Sequence, residues 1–314
     1  MPAVSILRPG MLTTVQDLGR WGFQSRGVPV SGALDWDSHR MANRLLGNDR
    51  AMATLEVTLM GPHIRFEASA AFGVTGAEFR LTLDDMPVEM NRAIEARSGA
   101  VLKFGERLRG ARAYVAVAGG VDVPVVLGSR STHVVTGMGG HEGRALRADD
   151  RLAIGSDSSL TKNENVKIKS GSFFSGPTRK GSRFDFPQSG ARLRVIPADG
   201  RLFTQLALQR LRVSPRSDRM GYRLEGAAVD APRGGLISTA IPTGAIQVPP
   251  TGQPILLMND HATTGGYAIA ATVITADLPL AGQLAPGDWV EFDACSIDTA
   301  IVELRRREAA LDAA

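Results

Sequence analysis

The first half of this chain is a succession of short apolar runs, each cut by turn-forming residues before it reaches helical length. Ser5–Leu7, Thr13–Val15, Thr54–Leu59, His63–Phe66, Ala71–Thr75, Phe79–Leu83, Ala100–Phe104 and Ala113–Ala118 read as strands. Leu81 to Val88 reads as a hairpin about the Asp84-Asp85 turn, and Ser98-Gly99 as the turn before Val101–Phe104. Many short strands at close spacing argue for a barrel or sandwich rather than a sheet alternating with helices. The high count of 35 glycines and the low aromatic content of 5% agree with a chain of many turns. One segment departs from this pattern. Asp35–Leu46 reads as a helix, with Met41, Ala42, Leu45 and Leu46 at helical spacing, Gly47 as its stop and Asp35 or Asp37 as its cap.

At 314 residues the chain is long enough for two domains with cores of their own. The stretch Gly155–Gly190 is rich in Ser, Gly, Lys and Asn and reads as a linker or exposed loop. The expected division is a domain over 1–155, a linker over 156–190, a second domain over 191–300 and a polar tail over 301–314. In the second half, Arg192–Pro197, Gly235–Ser238, Gly244–Val248, Ile255–Met258, Ala268–Ile274 and Trp289–Phe292 read as strands, and Phe203–Leu208 as a short helix. Faint echoes link the halves, such as Met41–Leu45 with Met220–Glu225.

Several function classes are disfavoured. The net charge of +4 is small for this length, and basic residues are interleaved with acids rather than gathered in a stripe, so no nucleic-acid partner is expected. No run of about 18 apolar residues suggests a membrane span, and the first residues do not resemble a signal peptide. The single cysteine, Cys295, fits a reducing compartment and reads as structural in its apolar neighbourhood. Cytoplasm is the expected location. The five histidines show no tight ligand spacing, so no metal site is expected. Ser159-Leu160-Thr161-Lys162 matches a bare Ser-x-x-Lys pattern, without its companion motifs. Gly137–Gly143 is glycine-rich yet fits no standard nucleotide loop; anion cradle and plain turn both stay open.

The polar groups that stand out flank Ile255–Met258, a short apolar run with Gly/Pro-rich loops at both ends. Gln247 precedes it; Asp260, His261, Thr264, Gly265, Gly266 and Tyr267 follow it. Gln247 can donate to and accept from an amide. Asp260 can accept a proton or orient an N–H, or cap the turn that follows. His261 offers proton transfer, Tyr267 a stacking ring or a phenol donor. Arg130 and Ser131 in Gly128–Thr132, and Arg216 and Arg219 around Asp218, present guanidinium forks suited to a carboxylate or phosphate, or local ion pairs.

Many of these motifs occur together, in one order. Ser31-Gly32-Ala33-Leu34-Asp35, Leu55-Glu56-Val57-Thr58, Val74-Thr75-Gly76-Ala77, Leu127–Thr132 and Gly137–Gly143 are followed by Ser217–Gly226, Gly244–Pro250, Asp260–Tyr267 and Gln283–Asp288. Over roughly residues 5 to 292 the chain resembles the allophanate hydrolase subunit 2 family. That family is also called the Kip-antagonist or biotin-dependent carboxyltransferase family, and it includes 5-oxoprolinase subunits. The resemblance implies a mainly β fold of two related cyclophilin-like β-barrel domains with a few short helices. It implies a separately encoded partner, subunit 1 or a Kip-inhibitor-like protein.

Three functions are consistent with that family. The first is an ATP-dependent complex with a third subunit, oxoprolinase A, opening 5-oxo-L-proline to glutamate, with ATP bound here or on a partner. The second is carboxyl transfer from carboxybiotin to urea or a related amide; biotin would then come from other proteins, since no biotin-attachment sequence is found. The third is a non-catalytic regulator binding the Kip-inhibitor-like partner. For the first, the resemblance and the residues together lead us to expect Asp260, Gln247 and His261 as catalytic groups. Arg216, Arg219, Thr264, Gly265, Gly266, Tyr267, Arg130 and Ser131 are the expected substrate-binding groups.

Overall fold

A computed structural model of the chain describes residues 2–155, 189–232 and 236–312. The linker reading of 156–190 lies outside these residues except at its last two, and the Ser159–Lys162 match lies wholly outside them. The chain divides into two compact units: Met1–Gly19 with Trp36–Phe186, and Arg20–Asp35 with Pro187–Ala314. Among the described residues no helix is long and apolar enough to cross a membrane.

The first unit is mainly β. Its elements are β1 (Ala3–Arg8), β2 (Leu12–Gln16), α1 (Trp36–Leu45), β3 (Thr54–Thr58), β4 (His63–Phe66), β5 (Ala70–Leu83), β6 (Met86–Val88), β7 (Ala93–Ala96), β8 (Val101–Val117), β9 (Val121–Asp122) and β10 (Arg151–Ile154). The sheet runs β2-β3-β8-β4-β1-β10-β9, with β5 pairing β6, β7 and β8. β5 and β8 are each one long strand where the sequence suggested two. Their pairing runs from Phe72↔Val117 to Leu83↔Leu102, with register shifts between Gly76 and Leu81. The interruption is chemical rather than structural: Gly105–Leu108 of β8 is solvent-exposed, so its charged side chains follow no core pattern. At Asp84-Asp85 the expected two-residue hairpin forms, both residues having positive φ (50° and 63°), which Asp tolerates better than most. The core gathers Val4, Ile6, Leu55, Val57, Ile64, Phe66, Phe72, Leu102, Val115 and Leu152. α1 packs on β5 and β8 and stops at Gly47, whose φ of 68° is the left-handed conformation glycine supplies.

The second unit contains β11 (Gly190–Pro197), α2 (Gly200–Ala207), β12 (Leu211–Val213), β13 (Gly221–Glu225), β14 (Thr239–Ala240), β15 (Ala245–Val248), β16 (Ile255–Leu257), β17 (Thr264–Gly265), β18 (Ala268–Val273), α3 (Leu278–Gly282), β19 (Trp289–Ala294) and α4 (Ile297–Asp312). Seven of these strands close a barrel in the order β11-β18-β15-β16-β13-β12-β19. Closure is made by parallel pairing of β11 with β19, from Gly190↔Trp289 to Val195↔Ala294, which leaves no open edge in the ring. Leu193, Val195, Leu211, Ile246, Leu256 and Val290 are fully buried in this unit. β14 and β17 form a separate two-stranded ribbon.

Three expectations change here. The strand expected over Gly235–Ser238 is not found at 236–238; pairing begins at Thr239, opposite Gly265. Gly235 itself is outside the described residues. The short helix starts earlier, at Gly200, because the Asp199 side chain accepts from the Arg201 and Leu202 N–H groups. Residues 301–312, read as a polar tail, belong to α4, which is nucleated where Ser296 Oγ accepts from the Thr299 N–H and which buries Leu311.

The segment 20–35 belongs by its contacts to the second unit, although it precedes α1 in sequence. Ser31 N–H donates to the Asn259 carbonyl at 3.0 Å, and Asn259 Nδ2 to the Ala33 carbonyl at 2.8 Å. Gln283 Nε2 donates to Asp35 Oδ2 at 2.6 Å, so the residue expected as a helix cap is also a tie to the α3 end of the barrel.

Candidate functional site

Residue by residue, the barrel brings one group of the expected residues together. β15 carries Gln247 and β16 leads into the loop Asn259–Thr263, the two strands being paired at Ile246↔Leu256 and Gln247↔Ile255. Asp260 is buried (3% exposed) and so is Arg219 (5%). They form a two-pronged ion pair: Arg219 Nε to Asp260 Oδ2 at 2.9 Å and Nη2 to Oδ1 at 3.2 Å. Arg219 Nη2 also donates to the Gly32 carbonyl at 2.7 Å, and the Asp260 N–H donates to the Arg219 carbonyl. Asp260 is therefore held in one orientation, and the fork of Arg219 is engaged by this carboxylate and by the 20–35 segment. Asp218, which the sequence set between two arginines, instead accepts from the Met220 and Gly221 N–H groups in a local turn. Arg216 is exposed.

His261 follows. Its Nδ1 lies 2.7 Å from the Ala262 carbonyl, which can only accept, so Nδ1 carries the proton. Nε2 then accepts from the Thr243 hydroxyl at 3.1 Å. Burial lowers the imidazole pKa, offset in part by that carbonyl and by the Asp260 charge, and the ring is neutral in this arrangement.

Gln247 is 5% exposed, and its Nε2 is buried without a hydrogen-bond partner among the described residues. An amide donor left unmatched in the interior is costly, and such groups mark sites where something else completes them. Gly265 borders it. A methyl group there would lie 3.1 Å from Gln247 Nε2 and 2.5 Å from Ile241 Cδ1, so glycine keeps the approach to the amide open. Thr264 and Tyr267 are exposed on the same short stretch, beside Gly266.

Arg130 and Ser131 lie in the first unit and are engaged there. Asp17 gathers the Oγ of Ser129 and of Ser131 and the N–H of Arg130. The guanidinium of Arg130 donates to the Val123 carbonyl at 2.9 Å and to Asp122 at 3.1 Å. The Gly137–Gly143 loop also closes on itself. The amides of Gly137, Met138, Gly140 and Gly143 donate to Val134, His133, Arg130 and Gly139, and a methyl on Gly143 would meet the Gly137 oxygen at 1.9 Å. That geometry is a folded turn and does not fit a phosphate cradle. Cys295 is partly buried, and burial raises its pKa. Among the described residues no three His, Cys, Asp or Glu side chains gather as a metal site would require.

Sequence reasoning picked out Gln247, Asp260, His261 and Arg219 as individuals. It missed Thr243, whose hydroxyl fixes the histidine, and gave Ser31 no role of its own. The one local signal for Ser31 was the Ser-Gly pair, which marks a turn and no chemistry.

A mainly β chain with a closed barrel and a buried polar loop at the end of one strand pair is a common scaffold for binding a small polar molecule. Its family is defined by sequence: the chain belongs to the carboxyltransferase domain family (subdomains A and B), which matches residues 26–294. It is 38% identical over 305 residues to the C subunit of 5-oxoprolinase from Escherichia coli strain K12, covering 95% of this chain and 93% of that one. It is 35% identical to the C subunit of 5-oxoprolinase from Haemophilus influenzae, covering 98% and 96%. Among solved structures, the K. lactis urea amidolyase superposes with a TM-score of 0.85 at 29% identity. That match covers 99% of this chain but 20% of the amidolyase, so the chain spans about a fifth of that enzyme.

Proposed function

We propose that this chain is one subunit of an ATP-dependent 5-oxoprolinase, a cytoplasmic complex that hydrolyses the lactam of 5-oxo-L-proline to L-glutamate. The observation that carries this reading is the near end-to-end match, in both directions, with relatives named as C subunits of 5-oxoprolinase. The expected partners are a subunit 1 or Kip-inhibitor-like protein and an oxoprolinase A subunit. ATP supplies the activation of the lactam carbonyl. Because the glycine-rich loop does not fit a phosphate, ATP is assigned to a partner subunit, and this chain's residues are given other work.

That work is to hold a planar amide. Gln247 Nε2 supplies a buried donor for a carbonyl oxygen, in a setting where a hydrogen bond counts for more than in water. The Arg219–Asp260 pair fixes the loop on which Asp260 and His261 stand. The neutral His261, protonated on Nδ1, is held for proton handling at Nε2 once Thr243 yields. The test is reconstitution of the complex from its three subunits and measurement of ATP-dependent glutamate release. Gln247→Ala and Asp260→Asn should each lower kcat/KM by about 10²-fold or more. Wild-type turnover in both variants would end the site assignment.

A second reading, carboxyl transfer from carboxybiotin to urea or a related amide, is favoured by the family match and by the likeness to the urea amidolyase. Ureas and lactams share the N–C=O unit, so the same donor would serve. Incorporation of labelled carboxyl into urea, without glutamate release from 5-oxoproline, would favour it over the first.

A further inference from the structure

Ser31 combines two unfavourable features. Its φ is 56°, in the left-handed region where glycine is the easy occupant and a side chain is strained. Its side chain is fully buried, and its Oγ has no hydrogen-bond partner among the described residues. A glycine at this position would remove both costs at once. Stability alone gives no reason for the hydroxyl, and local rules broken without a structural return cluster at functional sites.

Its surroundings say which site. The Ser31 N–H is tied to the Asn259 carbonyl, one residue before Asp260. The next carbonyl, Gly32, accepts from Arg219, the partner of Asp260. Ser31 is thus tied, directly at Asn259 and through Gly32 to Arg219, to the start of the loop that leads on to Gly265, the glycine bordering the Gln247 amide. Ser31 Oγ and Gln247 Nε2 are also complementary in kind. A hydroxyl can accept, and an amide nitrogen can only donate. A planar amide presents one N–H and one C=O, and it needs one of each.

We propose that Ser31 is a substrate-binding residue whose Oγ accepts the N–H of the substrate amide while Gln247 donates to its carbonyl oxygen. The inference rests on the amide-binding reading above and assigns it a further residue and a polarity. The chemistry recognised is a cis amide of the lactam or urea type, with N–H and C=O on one edge. An ester isostere, which has no N–H, is the discriminating probe.

The experiment uses the reconstituted complex with Ser31→Gly and Ser31→Ala. Ser31→Gly removes the hydroxyl and relieves the backbone. Ser31→Ala removes the hydroxyl and keeps the backbone restraint, which controls for added mobility. Both should raise KM for 5-oxoproline about tenfold with kcat changed less than twofold, and the Ser31→Gly melting temperature should equal or exceed the wild-type value. The preference for 5-oxoproline over the corresponding γ-lactone should shrink by the same factor. An unchanged KM in both variants, with wild-type turnover intact, overturns the role of Ser31 and leaves the oxoprolinase reading standing. A lower melting temperature in both variants with unchanged lactam-over-lactone preference makes Ser31 structural and overturns it too. If the wild-type complex ignores 5-oxoproline but carboxylates urea, a tenfold rise in KM for urea supports Ser31 while the oxoprolinase reading falls. If it acts on neither, both fall.

Discussion

Replacing Arg219 by Ala should destabilise the barrel unit more than any surface change could. Asp260 would be left as a carboxylate only 3% exposed, stripped of both prongs of its partner. Breaking a buried pair by removing one member typically costs about 3–5 kcal/mol, because the remaining charge is uncompensated. The Gly32 carbonyl loses its donor as well, loosening the 20–35 segment from the loop. For a domain of this size each kcal/mol shifts the melting temperature by about 2–4 °C, so a fall on the order of 10 °C is expected. The double variant Arg219→Met with Asp260→Leu should recover most of that loss, since a buried pair exchanged for apolar groups is often neutral. Calorimetry and urea unfolding of wild type, Arg219→Met, Asp260→Leu and the double variant close the cycle, with Arg219→Ala measured beside them. An Arg219→Ala variant within about 1 kcal/mol of wild type, or a double variant less stable than the single one, would refute the reasoning.

Two other outcomes follow from the first unit. His39 is fully buried, and desolvation takes its pKa to about 4, only partly offset by the Asp17 charge. The unfolded chain binds that proton near pH 6.5, so stability is complete above this value and falls as pH drops from 6.5 towards 4. Between pH 7 and 5 this group should account for about 2 kcal/mol of lost unfolding free energy. His39→Gln should flatten the urea-midpoint profile across that window, and an equal slope in both proteins would count against it. Asp17→Ala takes the acceptor from Ser129 Oγ, Ser131 Oγ and the N–H groups of Arg130 and Gly19. A loss of about 2–4 kcal/mol is expected, with new protease cleavage in 128–132; unchanged stability would mean the loop stands without this carboxylate.

What the sequence revealed and what it hid divide along physical lines. Short strands with an apolar inner face, such as His63–Phe66 and Ile255–Leu257, were legible because burial leaves a period in the residues. β12 and β13 were not: three and five residues long, they carry Arg212, Gly221 and Arg223, and their place is set by barrel pairing. α4 shows mostly polar residues outward, and its exposed Ile297 and Val302 follow no clear stripe. Within the site, chemistry marked Gln247, Asp260 and His261. The pairing of Arg219 with Asp260 spans 41 positions, and the tie to Gly32 spans 187, distances over which residue type gives no guidance.

The course of residues 20–35 also has a bearing on how the molecule is made. On the ribosome this segment emerges before its tethers: Arg219, Asn259 and Gln283 are translated 187, 226 and 248 positions behind their acceptors. At roughly 5–20 residues per second it waits about ten seconds or more for them. The first unit can assemble in that interval; the barrel unit cannot be completed until Gln283 and β19 have been made. A fragment cut at the apparent boundary near residue 189 would lack its own early-made strand of contacts, and adding a peptide covering 20–35 in trans is the way to restore them.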